Sequence, residues 1–544
     1  MKSILIILSL ITFSSCSSLI MNQGLKKYKS ENDDKRYNTA NKFQQDLLYL
    51  DDLCENSFPQ IDSVFPKSRR ETIVDSLFHV LSAKNIDEQK LKINLSFYLS
   101  HFDNQHTSII TNYFVSGLFP YLLFNSGQHW YLLDINNNYD SLLIGKQIVR
   151  IINQPIESII SKCMNYVCAE NDKTKRKKIW FLNSPSLLKD FNIIHQTDSI
   201  YLTFENNTSI WVRSIYKESD LHFHLDKKRF KPNVITKQSN KHYNASFYPD
   251  ENYAYFQFNN CFDLIDAKES IPDYVKPWVV PFANLYLKRL IKKKRIPKND
   301  IGFDIDFERP VFKDYLKQTF DSIQKQSIDN LIIDLRHNGG GSMLLCLQLL
   351  YYLTDRTNLT DFSEMYYLSE YNRKTNKKEY NDFVKSYELK NKTNPEKGKI
   401  YPNGFKHCEK SLFEKIEDPN SPYFIKKDRK VFKGKIIVLA GHNTGSAAAL
   451  LTTLIQDNNI AKVIGTSVGN NPIGATEYHP FKLPNSKIKG TVASTFLIRP
   501  NIENGKIQMP DFWIEYSVDD LIKGKDKSLD KAFELINNQK NASR

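Results

Sequence analysis

The stretch Ile328-Asp329-Asn330-Leu331-Ile332-Ile333-Asp334-Leu335-Arg336-His337-Asn338-Gly339-Gly340-Gly341-Ser342 decides the fold. Its first half is a short Ile- and Leu-rich run, the pattern of a strand buried within a sheet. Three glycines follow, and then the apolar run Met343 to Leu353, which reads as a helix. Glycines at a strand-to-helix turn bring bare backbone amides close to a ligand, and such amides hold either phosphate or an oxyanion. Neither GxxxxGK[ST] nor GxGxxG, the spacings a phosphate site wants, is present. The oxyanion reading is therefore preferred.

Around this stretch the chain alternates from Ala245 onward. Strand-like runs (Tyr253 to Phe258, Leu331 to Leu335, Lys435 to Ala440, Lys462 to Gly465) exchange with helical ones (Ser342 to Leu353, Ser446 to Gln456), which predicts an α/β core. The third strand ends in Gly441-His442-Asn443-Thr444-Gly445-Ser446, with a helix starting at about Ser446. A hydroxyl there faces the free N–H groups and the positive end of the helix, which stabilise charge developing on an attacked carbonyl. Taken alone, Ser446 reads first as a helix cap, the commoner role for a serine in this position. Beside the glycine strand it becomes a candidate nucleophile.

Upstream, Leu47, Leu48 and Leu50, then Ile73, Leu77, Val80 and Leu81, then Leu91, Ile93, Phe97 and Leu99 recur at three- and four-residue spacings. They predict a helical bundle over 39–112. Residues 113–230 carry short β-rich runs. Within them, Gly145 to Ile156 resembles the G-x-x-I-x-x-I-N-G core of a PDZ domain, with Gln154 where the turn glycine usually stands. The α/β region is expected over 240–540, interrupted near 266–300 and 355–430 by polar insertions that are surface elaborations or lids.

The 544 residues suit three or four domains at roughly 100–200 residues each. With 41% hydrophobic and 25% charged residues the chain is a folding one. The net charge of +14 is scattered, and its clearest runs, Lys175 to Lys178 and Lys292 to Arg295, read as solvated surface; no nucleic-acid partner is expected. Residues 1–15 read as a signal peptide, with an apolar stretch too short to span a bilayer. Ser14-Ser15-Cys16 resembles a bacterial lipoprotein cleavage box, so Cys16 is the expected lipidation site, followed by a linker over 16–38. The expected location is the cell envelope, in the outer membrane facing the periplasm. No CxxC pair or Cys/His cluster has zinc spacing, so neither a metal nor a cofactor is expected.

Asp334-Leu335-Arg336-x-Asn338-Gly339-Gly340-Gly341 and Thr444-x-Ser446-Ala447-Ala448 together resemble the paired signatures of the tail-specific, or C-terminal processing, serine peptidases. That resemblance implies a crotonase-like β-β-α superhelical core, a polypeptide substrate and a PDZ-like module capturing an extended peptide by strand addition. It also implies Ser446 as nucleophile, with an oxyanion hole from Gly339, Gly340 and Ala447. The Lys of the family's Ser–Lys dyad is replaced here by Asn470. The chain is instead similar to the branch of the tricorn protease core, where a His from the helical bundle and a Glu near the C-terminus complete the site. Asp103-Asn104-Gln105-His106-Thr107 looks like that branch's D-x-H-T element, with one residue more between Asp and His, which makes His106 the expected base and Glu503 its acidic partner, with Asp511 as competitor. His442 and His479 are rival bases. An esterase with the same site, or an inactive peptide- or apolar-ligand-binding lipoprotein on the same fold, are the alternative readings.

Overall fold

The computed structural model describes residues 34–109, 117–179, 181–225, 242–269, 271, 277–293, 311–402 and 412–542. Cys16 and the expected signal peptide lie outside the described residues. The molecule is mixed α/β with several sheets. At its centre six strands lie in the order Phe512–Trp513, Lys462–Gly465, Lys435–Ala440, Asn330–Asp334, Tyr253–Phe258, Tyr243–Tyr248. The first five run parallel and the last closes an antiparallel hairpin.

Why these segments are almost wholly apolar follows from what covers them. Leu331, Ile333, Val438 and Val463 face a large core with helices Met343–Leu353 and Ser446–Asp457, whereas Ile332, Ile437, Leu439 and Ile464 face helix Lys527–Ala542 through Leu529, Ala532 and Ile536. A parallel strand covered on both faces has no polar side to show. A buried ion pair ties the sheet to that helix. Arg336 donates to Asp334 (2.7 Å) and to Asp526 (2.7 Å), and Tyr255 and Tyr516 donate to the same two carboxylates. Burial alone would raise the Asp334 carboxyl, yet the guanidinium of Arg336 holds it below its ordinary value.

The N-terminal helices Lys42–Ser57, Lys67–Val80 and Glu88–Ser100 pack their Leu and Phe residues against Phe481, Leu483, Ile488 and Val492. The first is opened by a capping box between Asn41 and Gln44. Two further contacts fix the bundle to the rest. The Asp46 carboxylate accepts from the amides of Asn485 (2.8 Å) and Ser486 (2.7 Å), and strand Ser108–Ile109 pairs antiparallel with Lys489–Val492.

Residues 117–225 build a second antiparallel sheet in the order Tyr121–Ser126, His129–Ile135, Gln147–Ile151, Ser199–Phe204, Ser209–Arg213, with its own core of Ile148, Ile151, Ile160, Leu187 and Leu202. Ile152 and Asn153 turn the chain at positive φ (47° and 60°) into the short strand Gln154–Pro155.

The stretch 355–430 is no detached elaboration. Its strands Ser363–Tyr367 and Ile400–Pro402 complete a four-stranded sheet with Thr495–Ile498 and Gly474–Thr476, and its Tyr371 enters the core of the N-terminal helices.

Candidate active site

The glycine turn leaves strand Asn330–Asp334 and the serine turn leaves the adjacent parallel strand Lys435–Ala440, so both sit at the carboxyl ends of neighbouring strands. In parallel sheets ligands bind there. Leu335 and Asn338 join the turns: Thr444 Oγ1 donates to the Leu335 carbonyl (2.8 Å) and the Gly445 amide to the Asn338 carbonyl (2.9 Å). Asn338 is itself anchored by donating to the Phe258 carbonyl (2.9 Å).

Gly340 has φ +108°, and a Cβ placed on it would stand 2.5 Å from Ser446 Cβ, 2.8 Å from the Gly445 carbonyl oxygen and 3.1 Å from the Ala447 amide nitrogen. No other residue fits that position, which explains the glycine and puts the glycine turn against the serine. The amide of Gly340 donates to Asn338 Oδ1 (2.9 Å). Ala447 is in the first turn of its helix, where an amide has no intrahelical partner. Amides of Ala447 and of the neighbouring glycines are thus the available donors for an oxyanion, while that of Gly340 shapes the turn.

Ser446 is not a helix cap: Gly445 occupies the N-cap position and no side chain caps the helix. Ser446 sits at φ +47°, rare for a residue with a side chain. Its amide donates to Asn470 Oδ1 (2.6 Å), which holds this conformation. Asn470, where a lysine base would stand in a Ser–Lys site, thereby acquires a positioning role that its residue type alone did not announce.

His106 arrives from the other end of the chain. It follows helix Glu88–Ser100 and precedes strand Ser108–Ile109; Asn104 Nδ2 donates to the Ala475 carbonyl (2.7 Å) and Thr107 Oγ1 accepts from the Ala493 amide (3.0 Å). Between these stitches the His106 amide donates to Asn104 Oδ1 (3.0 Å), and its ring Nε2 lies 3.3 Å from Ser446 Oγ. Tyr478 stacks on the ring, with centroids 6.2 Å apart. Burial, aided by the charge of Lys178, pushes the His106 imidazole down to about 4. It is therefore neutral near pH 7, the state that accepts a proton.

The other expected residues lie elsewhere. Glu503 stands on the exposed turn Ile502–Asn504 with its amide bonded to Asn501 Oδ1, and His106 Nδ1 is buried without a hydrogen-bond partner among the described residues. The resemblance that put Glu503 beside His106 is thus not matched by a contact with the His106 ring. Asp511 is engaged by Lys462 (2.8 Å) and the Val463 amide (2.9 Å). His442 is pushed down to about 4 by burial, but its Nδ1 makes no hydrogen bond, and His479 stacks on Tyr371 with centroids 4.0 Å apart.

The basic run Lys175 to Lys178 departs from the surface reading. Lys175 pairs with Asp103 (2.6 Å), Lys177 donates to the Asn125 carbonyl, and Lys178 donates to Gln105 Oε1 (2.8 Å). A run of charges carries no sign in the sequence that Lys175 and Lys178 reach inward to bonded partners. Among the described residues no cluster of His, Cys, Asp and Glu could hold a metal, and the described cysteines are free, including buried Cys261 and Cys346.

A serine at a helix start, a glycine turn against it and an imidazole 3.3 Å from its hydroxyl form the kind of arrangement that serine hydrolases use. Residues 306–511, which hold both turns, match the model of peptidase family S41. That stretch is therefore similar to the S41 peptidases, and the protein is a serine-type peptidase. In overall fold it is similar to mature CPAF complexed with lactacystin, at 14% identity and a TM-score of 0.57, covering 92% of this chain and 99% of that one. A second structure of mature CPAF gives 13% identity, a TM-score of 0.56 and coverage of 92% and 98%. No match was found among curated protein sequences.

Proposed function

We propose that the protein is an exported endopeptidase that cleaves polypeptides through a Ser446–His106 site. The observation that carries the reading is the 3.3 Å separation of His106 Nε2 and Ser446 Oγ across 340 residues of sequence. A binding module on this fold has no need of a hydroxyl held at positive φ beside a neutral imidazole. In the proposed reaction His106 takes the Ser446 proton as Oγ attacks the scissile carbonyl, then gives it to the leaving amine. The oxyanion is held by the Ala447 amide together with an amide of the glycine turn.

Around this centre the core is read as crotonase-like, with 117–225 as a PDZ-like module. Its antiparallel sheet, with Ser209–Arg213 at one edge, suits addition of an extended peptide strand. Cys16 is read as a lipid attachment site, holding the protein at the outer membrane on its periplasmic side. Purified wild type and Ser446→Ala, incubated with an unstructured polypeptide, test the reading. Wild type cleaves it, and Ser446→Ala retains only about 10³–10⁴ over the uncatalysed rate. Equal cleavage by both would refute the assignment.

A further inference from the structure

His106 leaves a question that Glu503 does not answer. An imidazole that accepts a proton in a buried site becomes a buried cation, and a buried charge is costly unless something of opposite sign faces it. The ring's Nδ1 makes no hydrogen bond. Its sequence neighbour does. The Gln105 amide donates to Glu170 Oε1 (3.3 Å), and the Gln105 side-chain oxygen accepts from Lys178 Nζ (2.8 Å). Glu170 Oε2 is a second buried polar atom without a hydrogen-bond partner among the described residues. One unsatisfied buried polar atom is thus on the base, and the other is on the carboxylate that holds the amide of the residue before it.

We propose that Glu170 is the acidic positioning residue of the site, holding the Asn104–Gln105 peptide that leads into His106 and offsetting the imidazolium that forms during proton transfer, with Lys178 as its counterweight. The proposal rests on the Ser446–His106 reading and supplies its missing acidic member. In the reaction the proton passes from Ser446 Oγ to His106 Nε2, and Glu170 stays ionised throughout. Glu170 and Lys178 come from the segment around helix Asp172–Lys177, packed beside the β-rich module, so that module contributes to the catalytic centre.

The charged surroundings set the pH behaviour. Burial pushes the Glu170 carboxyl up to about 7, a shift that Lys178 opposes and Asp103 reinforces; Asp103 is itself paired with Lys175. Lys178 is lowered by burial and supported by Glu170 and Cys168. On His106, burial and Lys178 both act downward, with Tyr478 on its face and Ser446 at its Nε2. Ionisation of Glu170 should therefore appear as a rise in activity through about pH 7, above the step near 4 where His106 loses its proton.

The test is the pH profile of kcat/KM between pH 4 and 9 on a model peptide, for wild type, Glu170→Gln, Lys178→Met and His106→Ala. Glutamine keeps the acceptor for the Gln105 amide, so a merely structural role survives it and an electrostatic one does not. Glu170→Gln should lose the rise through pH 7 and fall on the order of tenfold at pH 8. Lys178→Met, which removes a charge lowering Glu170, should move the rise to higher pH. An unchanged profile in both variants, with His106→Ala inactive, overturns the Glu170 role and leaves the Ser446–His106 site standing. An His106→Ala variant as active as wild type overturns both.

Discussion

Gly340→Ala is the perturbation whose consequence the geometry sets most sharply. The new methyl would stand 2.5 Å from Ser446 Cβ and 2.8 Å from the Gly445 carbonyl oxygen, on a backbone at φ +108°. Two costs add. A side chain held in this sparsely populated region costs about 1–3 kcal/mol, and overpacking adds about 1–3 kcal/mol. Loss of stability should therefore be roughly 2–6 kcal/mol. The relief available is movement of the serine turn, because the methyl's other close neighbours are backbone atoms of Gly445 and Ala447. A nucleophile displaced by about 1 Å loses on the order of 10²-fold in rate. Gly398 is the control. It has φ +81° with nothing within 4 Å of an added Cβ, so Gly398→Ala should show the backbone strain alone and keep full activity. Denaturant melts and peptide hydrolysis on the two variants separate strain from collision. A Gly340→Ala protein with wild-type kcat/KM would show that the glycine turn does not abut a working nucleophile.

Further outcomes follow from the same geometry. Asn470→Leu leaves the Ser446 amide without its acceptor and should lower kcat about 10–100-fold, whereas Asn470→Asp, which keeps an oxygen there, should lose much less; steady-state kinetics on a model peptide decide it. Arg336→Met strands the buried carboxylates of Asp334 and Asp526 and should cost about 3–5 kcal/mol in a urea melt. For His106 and His442, whose folded values of about 4 lie below the unfolded 6.5, the unfolded chain binds more protons between those limits. Stability they allow above pH 6.5 is thus lost as pH falls toward 4, and each of His106→Gln and His442→Gln should flatten the stability–pH curve in that window.

The central strands were legible because two-sided burial forces continuous apolar runs, and Ile332 and Ile333 could face two different cores without either being polar. The glycine and serine turns were legible for a related reason: a close approach at Gly340 admits no side chain. His106 was marked by the Asp103 to Thr107 setting, although it takes tertiary contacts, the pairing of Ser108–Ile109 with Lys489–Val492 and the bonds of Asn104 and Thr107, to bring it within reach of Ser446. What stayed hidden depended on tertiary placement of polar residues. Lys178 belongs to a run whose pattern matches a solvated surface, and Glu170 has no local motif at all. Glu503 takes the acidic role only through the resemblance to the tricorn branch, and a resemblance in chain position does not record which side of a loop faces solvent. The 355–430 insertion was obscured by its polar composition, since the strands it gives to a sheet are short and only partly buried.

The central claim, that His106 activates Ser446, is tested most directly by the rate at which a fluorophosphonate labels the serine, read by mass spectrometry of the adduct in wild type, His106→Ala and His442→Ala. The account predicts a stoichiometric adduct on Ser446 in wild type, labelling slowed by several decades in His106→Ala, and little change in His442→Ala. Labelling of His106→Ala at the wild-type rate, or an adduct on a residue other than Ser446, would contradict it.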